Sequence, residues 1–448
     1  MIKIPEISIE NICKILNVEN NYSKEKIFYI SLNSKDKINE NFCFIAIKGE
    51  KFDGGNYIEE AIKNGAKLII TEKNYKSSVP IIVVKDSRKA LGLIAKELSK
   101  NRRKICVTGS SGKTTVTQMI SSIISQKYNV YCTKKNENNE IGAPLTLLNG
   151  LDYEFNIVEI GMRGIGQIKW LSYICEPEIS VITNVGTSHI GVLGSVDEIF
   201  KAKMEILEYT RKNAVLPSEE RFKKQCLHSK FSLIFVGEDG ECILQNYKYE
   251  VDGILFDIKY NGILYKDIKV NSYSLHNIYN AMFAISVGFL CGLNIEEIKL
   301  GLAKYKGIEM REELETINGI TIIKDYYNAS YESMKNAIIT LKNFAELKNK
   351  IPKALIADML ELGEYAEEFH YRIGELAKDC GIKKLYVIGK YARNVMDGYI
   401  GGVQCYKAED TAKLICSELT ENDVLLIKGS RKMKLENVVE EMKGLLCI

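Results

Sequence analysis

Glycines at positions 109 and 112, followed at once by lysine and threonine, give this chain its clearest chemical signal: Val107-Thr-Gly-Ser-Ser-Gly-Lys-Thr-Thr115. Backbone amides from Gly109 through Ser110 and Ser111 to Gly112 can turn toward phosphate oxygens, because glycine adds no Cβ and permits unusual φ. The run Lys104 to Val107 reads as a buried strand, and Val116, Met119, Ile120, Ile123 and Ile124 follow helical spacing. Strand, glycine-bracketed turn and helix make a phosphate cradle, to which the helix amino end adds unpaired N–H groups and a favourable dipole. Lys113 would then reach the terminal phosphates and Thr114 would offer its hydroxyl to Mg²⁺, with Thr115 completing the cradle. The long Walker form needs glycine at 107, where Val107 stands, so the shorter GxxGKT form is present. A bare GKT tripeptide is also an ordinary turn; the flanking strand and helix favour phosphate.

Other candidates sit where the following strands should end. Glu159 closes the apolar run Phe155 to Ile160. A carboxylate there can hold Mg²⁺ directly or through water, or be a plain solvent-facing strand terminus. His189 ends Thr183-Asn-Val-Gly-Thr-Ser-His189 and is one of four histidines. Its place after a strand leaves metal ligand and structural hydrogen-bonder both open. Lys203 belongs to a helix beginning near Ser195 and does not share a face with Lys201, so on its own it reads as a solvated surface lysine. Asn277 and Asn280 are helix neighbours whose amides suit a purine edge, while capping by Ser274 and Asn277 is the plain alternative.

The elements that must position these residues alternate in type. Strands are expected at 41–47, 67–71 and 81–84, with helices at 56–65 and from a Ser87 cap to Ser99. A polar joint, Asn101-Arg-Arg-Lys104, marks the first boundary. The βαβ rhythm continues with strands at 155–160 and 179–183, breaks into antiparallel hairpins over 231–273, and is followed by helices at 275–291 and 295–305. After Gly307 the alternation resumes. The expected fold class is α/β with three domains: a small N-terminal unit (1–101), a central P-loop parallel-sheet unit (102–310) and a C-terminal Rossmann-like unit (311–448).

The totals narrow the class. The 448 residues carry 61 Lys+Arg against 58 Asp+Glu, a net +3 that gives no broad basic field for nucleic acid. Twelve cysteines without a C-x-x-C pair, and a start without a secretory leader, point to reduced thiols in a cytoplasm. The longest apolar stretch, Met282 to Leu293, is well short of the ~20 residues of a membrane span. A cytoplasmic protein acting on small molecules is expected.

Taken in order, Gly109 to Thr115, Asn138-Asn-Glu-Ile-Gly142, Glu159-Ile-Gly161, Thr183 to His189, Ala202-Lys203, His276 to Asn280 and Arg311 resemble the motif series of the Mur ligases. These are ATP-dependent, amide-bond-forming enzymes of peptidoglycan precursor synthesis, and the resemblance covers nearly the whole chain. Phe44 to Gly54, Ala357 to Glu364 with His370, and Lys428 to Arg431 are similar to the branch that adds D-alanyl-D-alanine to UDP-N-acetylmuramoyl-tripeptide. The resemblance implies ATP and two Mg²⁺ ions, with Lys113, Lys203 and His189 catalytic. Lys113 would bind the β- and γ-phosphates, and Thr114, Glu159 and His189 would organise metal. Lys203 matches the lysine carbamylated in this family, a metal-ligating anion, against its reading as a surface residue. Asn277 and Asn280 match adenine contacts, and Arg311 and Asp325 match a clasp on ribose and phosphates. Ser34, Asn138, Asn139, Glu140 and Asn328 fall at substrate positions. A monomer that closes its third domain over an acyl phosphate is implied.

Three departures lie on the acceptor and UDP side. Asn33-Ser-Lys35 stands for Asp-Ser-Arg, Asp325-Tyr-Tyr-Asn-Ala-Ser-Tyr331 lacks the second Asn and the Pro, and Gly54-Gly55 replaces glycine-histidine. Lysine does not reproduce the planar fork of arginine. A paralogue using another acid and amine is therefore a second reading. A P-loop ATPase without ligase activity is a third, disfavoured by the three-domain layout and by Asn138 to Gly142.

Overall fold

Three sheets carry the chain. A computed structural model describes residues 1–19, 24–49, 52–134 and 136–446; Glu50 and Lys51 of the Phe44–Gly54 segment lie outside the described residues. The N-terminal sheet has the order β1-β2-β3-β4-β5: β1 (Ile2–Ser8), β2 (Lys26–Ser31), β3 (Phe42–Ile45), β4 (Ala66–Thr71) and β5 (Ile81–Val83). Only β1 pairs antiparallel. All four side chains of β3 are buried, as a strand covered on both faces requires. The helix Ser87–Leu98 is capped by Asp86, whose carboxylate accepts from the amides of Arg88 and Lys89, and not by Ser87 as expected. A carboxylate also suits the positive helix end, and the Ser87 hydroxyl donates instead to Glu72.

The central sheet has nine strands in the order β14-β13-β12-β11-β10-β9-β6-β8-β7. They are β6 (Arg103–Thr108), β7 (Val130–Cys132), β8 (Phe155–Glu159), β9 (Ile179–Ile182), β10 (Asn213–Pro217), β11 (Ser232–Val236), β12 (Cys242–Glu250), β13 (Gly253–Tyr260) and β14 (Ile263–Val270). The hairpins expected over 231–273 are β12 to β14; β11 instead pairs parallel with β10. Arg103, expected in the polar joint, already belongs to β6, which continues through the expected Lys104 to Val107 run. Parallel β6 lies between β8 and β9. The phosphate loop, Glu159 and the loop carrying His189 therefore emerge side by side at the carboxyl ends of neighbouring strands, where open α/β sheets bind ligands.

The C-terminal sheet runs β15-β16-β20-β17-β18-β19: β15 (Glu313–Ile317), β16 (Ile320–Asp325), β17 (Ile351–Ala357), β18 (Lys384–Ile388), β19 (Val403–Cys405) and β20 (Asp423–Lys428). It is parallel except for β15. Every residue of β16 and β20 is buried, which places Asp325 and Lys428 inside the protein.

Candidate active site

The phosphate loop is held from behind by the loop after β9. Asn184 accepts from the amides of Ser110 and Ser111 through its carbonyl and Oδ1 at 3.1 and 2.9 Å. Thr183 Oγ1 donates to the Ser111 carbonyl at 2.6 Å, and Asn184 Nδ2 donates to Ser111 Oγ at 2.9 Å. Ser110 and Ser111 thus shape the loop with their backbone. The glycines are obligatory: a Cβ on Gly109 would stand 1.9 Å from Thr183 Oγ1, and one on Gly112 (φ +75°) would stand 2.5 Å from Asn280 Oδ1. The helix Lys113–Ile124 starts directly after Gly112, so the first-turn amides of Lys113, Thr114 and Thr115 have no intrahelical acceptor. Lys113 Nζ folds back onto the Gly109 carbonyl at 2.9 Å. Burial lowers its pKa, partly countered by Glu159.

Glu159, Lys203 and His189 surround this loop. Glu159 is buried; Oε1 accepts from Asn138 Nδ2 at 2.8 Å, while Oε2 is buried with no partner among the described residues. The solvent-facing alternative for Glu159 is therefore excluded. Lys203, on the helix Val196–Met204, is only 1% exposed. Lys201 on the other face is exposed and paired with Glu198. The surface reading of Lys203 is wrong, because Ile199, Ala202 and Lys203 form the buried side of that helix. Lys203 Nζ has no hydrogen-bond or ion-pair partner among the described residues. Burial, reinforced by Lys113, pulls its pKa well below the usual lysine range. Among the described residues no three His, Cys, Asp or Glu side chains form a metal cluster. The donors that remain are mixed: the Thr114 hydroxyl, the orphaned Glu159 oxygen and His189. An unpartnered buried carboxylate oxygen beside a phosphate cradle fits a divalent cation.

Contacts from the C-terminal unit reach the same place. His189 has a left-handed backbone (φ +66°), and its Nδ1 lies 2.8 Å from Glu361 Oε2. The Glu361 carbonyl accepts from the Gly191 amide at 3.1 Å. Here the backbones touch: a Cβ on Gly191 would lie 2.5 Å from the Gly363 nitrogen. Glu332, at the start of the helix Tyr331–Lys348, accepts from the Thr187 amide at 2.7 Å and from its hydroxyl at 3.0 Å. Neither Glu332 nor Glu361 was a candidate from sequence, although Glu361 falls within Ala357 to Glu364.

On the nucleoside side, Asn280 Nδ2 donates to Asn277 Oδ1 at 2.7 Å, and Asn277 Nδ2 donates to Glu312 at 2.8 Å. Ser274 precedes the helix Leu275–Leu290 without a side-chain cap bond, and Asn277 lies inside that helix, so the capping alternative fails. The Arg311 guanidinium stacks 4.3 Å from the Tyr327 ring centre. Asp325 is engaged by Lys428 at 2.6 Å, and Lys428 also donates to the Asn328 carbonyl at 3.3 Å. Asn139 Oδ1 accepts from the Ile141 and Gly142 amides, and Glu140 meets Arg88 of the N-terminal unit at 3.4 Å.

Most of these groups line one cleft of about 1400 Å³ that draws residues from all three units. Lys113, Thr114, Glu159, His189, Lys203, Asn277, Asn280, Arg311, Asp325 and Asn328 are in its wall, as are Asn138 to Glu140. Ser34 is not. Its hydroxyl donates to Glu60 at 2.5 Å and its carbonyl accepts from Asn64, within the N-terminal unit.

Three α/β units converging on one phosphate loop, with a buried lysine and an orphaned carboxylate behind it, define a nucleotide-dependent ligase. Three family models match in succession: Mur ligase family, catalytic domain (30–98); Mur ligase middle domain (107–288); and Mur ligase, glutamate ligase domain (310–431). The chain is 33% identical over 421 residues to the UDP-N-acetylmuramoyl-tripeptide–D-alanyl-D-alanine ligase of Bacillus subtilis, covering 91% of each. Its fold superposes on MurF from Acinetobacter baumannii with TM-score 0.90 at 24% identity, over 99% of this chain and 100% of that one. MurF ligase from Thermotoga maritima in complex with ADP gives TM-score 0.83 at 28% identity, over 93% of this chain and 97% of that one. The chain belongs to the Mur ligase family.

Proposed function

We propose that this chain is the ATP-dependent, ADP-forming ligase that joins D-alanyl-D-alanine to UDP-N-acetylmuramoyl-tripeptide. The observation that carries the chemistry is Lys203, buried and unpaired behind the phosphate loop. Its lowered pKa favours the neutral amine, which can add CO₂ and release a proton to become a carbamate. That anion would settle beside Glu159 and His189. Together with Thr114 they would hold Mg²⁺, which neutralises charge on the phosphates during transfer.

The tripeptide carboxylate attacks the γ-phosphorus of ATP; the bond to the β,γ-bridging oxygen breaks and ADP leaves, giving an acyl phosphate. Lys113 and the first-turn amides of its helix stabilise the charge that spreads over the phosphoryl oxygens. Arg311, Asn277 and Asn280 orient the nucleotide, and Asp325 offers the oxygen that Lys428 leaves free. The dipeptide amine then attacks the acyl carbon, loses a proton and displaces phosphate. The converging units shield the acyl phosphate from water.

Asn138, Asn139, Glu140 and Asn328 would line the acceptor path, and Ser34 the separate UDP-binding end. Action as a monomer in the cytoplasm completes the proposal; among the described residues no helix is long and apolar enough to cross a membrane. A related ligase using another acid and amine is the second reading, favoured by Asn33-Ser-Lys35. Incubation with ATP, Mg²⁺, the UDP-linked tripeptide and D-alanyl-D-alanine should give the pentapeptide by mass. ADP release only with other acid and amine pairs would replace the first reading by the second.

A further inference from the structure

We infer that Glu361, supported by Glu332, is a positioning residue: the C-terminal unit sets the imidazole of His189 so that Nε2 faces the metal. This rests on the metal role proposed for His189. Glu361 Oε2 lies 2.8 Å from Nδ1. A carboxylate in that place fixes the ring proton on Nδ1 and leaves the Nε2 lone pair for a cation, the arrangement that orients metal-binding histidines.

Two features separate this contact from an ordinary surface pair. Glu361 is about half exposed at its side chain (54%), so the pair adds little to stability. Yet both residues hold left-handed backbones, at φ +66° for His189 and +65° for Glu361. Non-glycine residues keep such conformations only where their surroundings enforce them. The enforcing contacts come from the C-terminal unit: the Glu361 carbonyl on the Gly191 amide, and Glu332 gripping both the amide and hydroxyl of Thr187. Within the central unit the loop is held to Ser110 and Ser111 through Thr183, Asn184, the Gly186 amide (3.0 Å) and the Ser188 hydroxyl (3.1 Å), and Arg221 donates to the Val185 carbonyl at 3.3 Å. None of these bonds touches the imidazole. Docking of the C-terminal unit and completion of the metal site are thus one event.

The test uses the full chain with ADP and Mn²⁺ as the probe. Pulsed electron paramagnetic resonance reads imidazole nitrogen coupling to Mn²⁺, and titration of the free Mn²⁺ signal reads affinity. Wild type should show the coupling. Glu361→Asn tolerates left-handed backbone but cannot reach the ring; it should lose the coupling and bind Mn²⁺ roughly 10–100-fold more weakly. Glu361→Gln still accepts from Nδ1 and should retain the coupling, which a merely structural role would not require. Glu332→Ala, remote from the metal, should weaken the coupling without removing a ligand. Wild-type coupling and affinity in Glu361→Asn would overturn the positioning role while leaving His189 a ligand. Absence of coupling in wild type would overturn both, while pentapeptide formation would still report separately on the ligase reading.

Discussion

Asp325 and Lys428 are register partners at the ends of β16 and β20, and their side chains form a buried ion pair at 2.6 Å. Lys428→Met would leave the Asp325 carboxylate buried without its counter-charge, a loss of about 3–5 kcal/mol. Urea unfolding of the C-terminal unit should register it. The double variant with Asp325→Asn should recover much of the loss. A stability unchanged by Lys428→Met would mean that water reaches Asp325.

Gly112→Ala tests the phosphate loop. The new methyl would face Asn280 Oδ1 at 2.5 Å on a backbone with φ +75°. A strained left-handed residue costs on the order of 1–3 kcal/mol. The clash sits between loop and nucleoside pocket, so ADP affinity, read by titration calorimetry, should fall at least tenfold. Affinity within twofold of wild type would show that Asn280 moves away freely.

Lys203→Ala should lower turnover by on the order of 10²–10³, the scale for losing one charge-stabilising group in such a site. Short carboxylic acids should restore part of the rate by replacing the lost anion. Carbon-13 NMR of the wild type under labelled CO₂ should show a carbamate resonance that Lys203→Arg lacks. A fully active alanine variant would remove Lys203 from the mechanism.

Glu312 gives a pH dependence. Burial, then the charge of Asp325, pushes its carboxyl up to about 7, with Ser272 and Lys428 pulling part of the way back. The folded state holds this proton more tightly than the unfolded chain. Its contribution to stability is therefore complete below the ordinary value near 4.5 and is lost as pH rises through about 7. Glu312→Gln removes that slope, so its melting temperature should gain on wild type between pH 5 and pH 8. Parallel melting curves would contradict the assignment.

Much of this was legible in the chain because local pattern and tertiary role coincide. Gly109 and Gly112 announce a turn only glycine can make, and the strands behind the site are continuous apolar runs. Lys203 reads as a surface residue from local pattern alone, because one lysine on a short helix looks solvated until the packing of Ile199 and Ala202 is known; only the resemblance to known motifs singles it out. Ser34 stands out only by resemblance to known motifs, and it lies apart from the cleft, bonded to Glu60 and Asn64 inside its own unit. Glu332 and Glu361 carried no local signal, since their partners lie far away in sequence. The edge strands β1, β15 and β19 were missed because Pro5, the glutamates of β15 and the brevity of β19 hide strand periodicity.

The seam between Gly191 and Gly363 works as a thickness gauge. Two bare backbones meet there, and the Gly191 amide is bonded to the Glu361 carbonyl at 3.1 Å. A spacer as thin as one methyl would prop the seam ajar and draw Glu361 away from His189. A small wedge lodged there would thus disarm the enzyme from outside the nucleotide cleft, leaving ATP free to bind a site that cannot be completed.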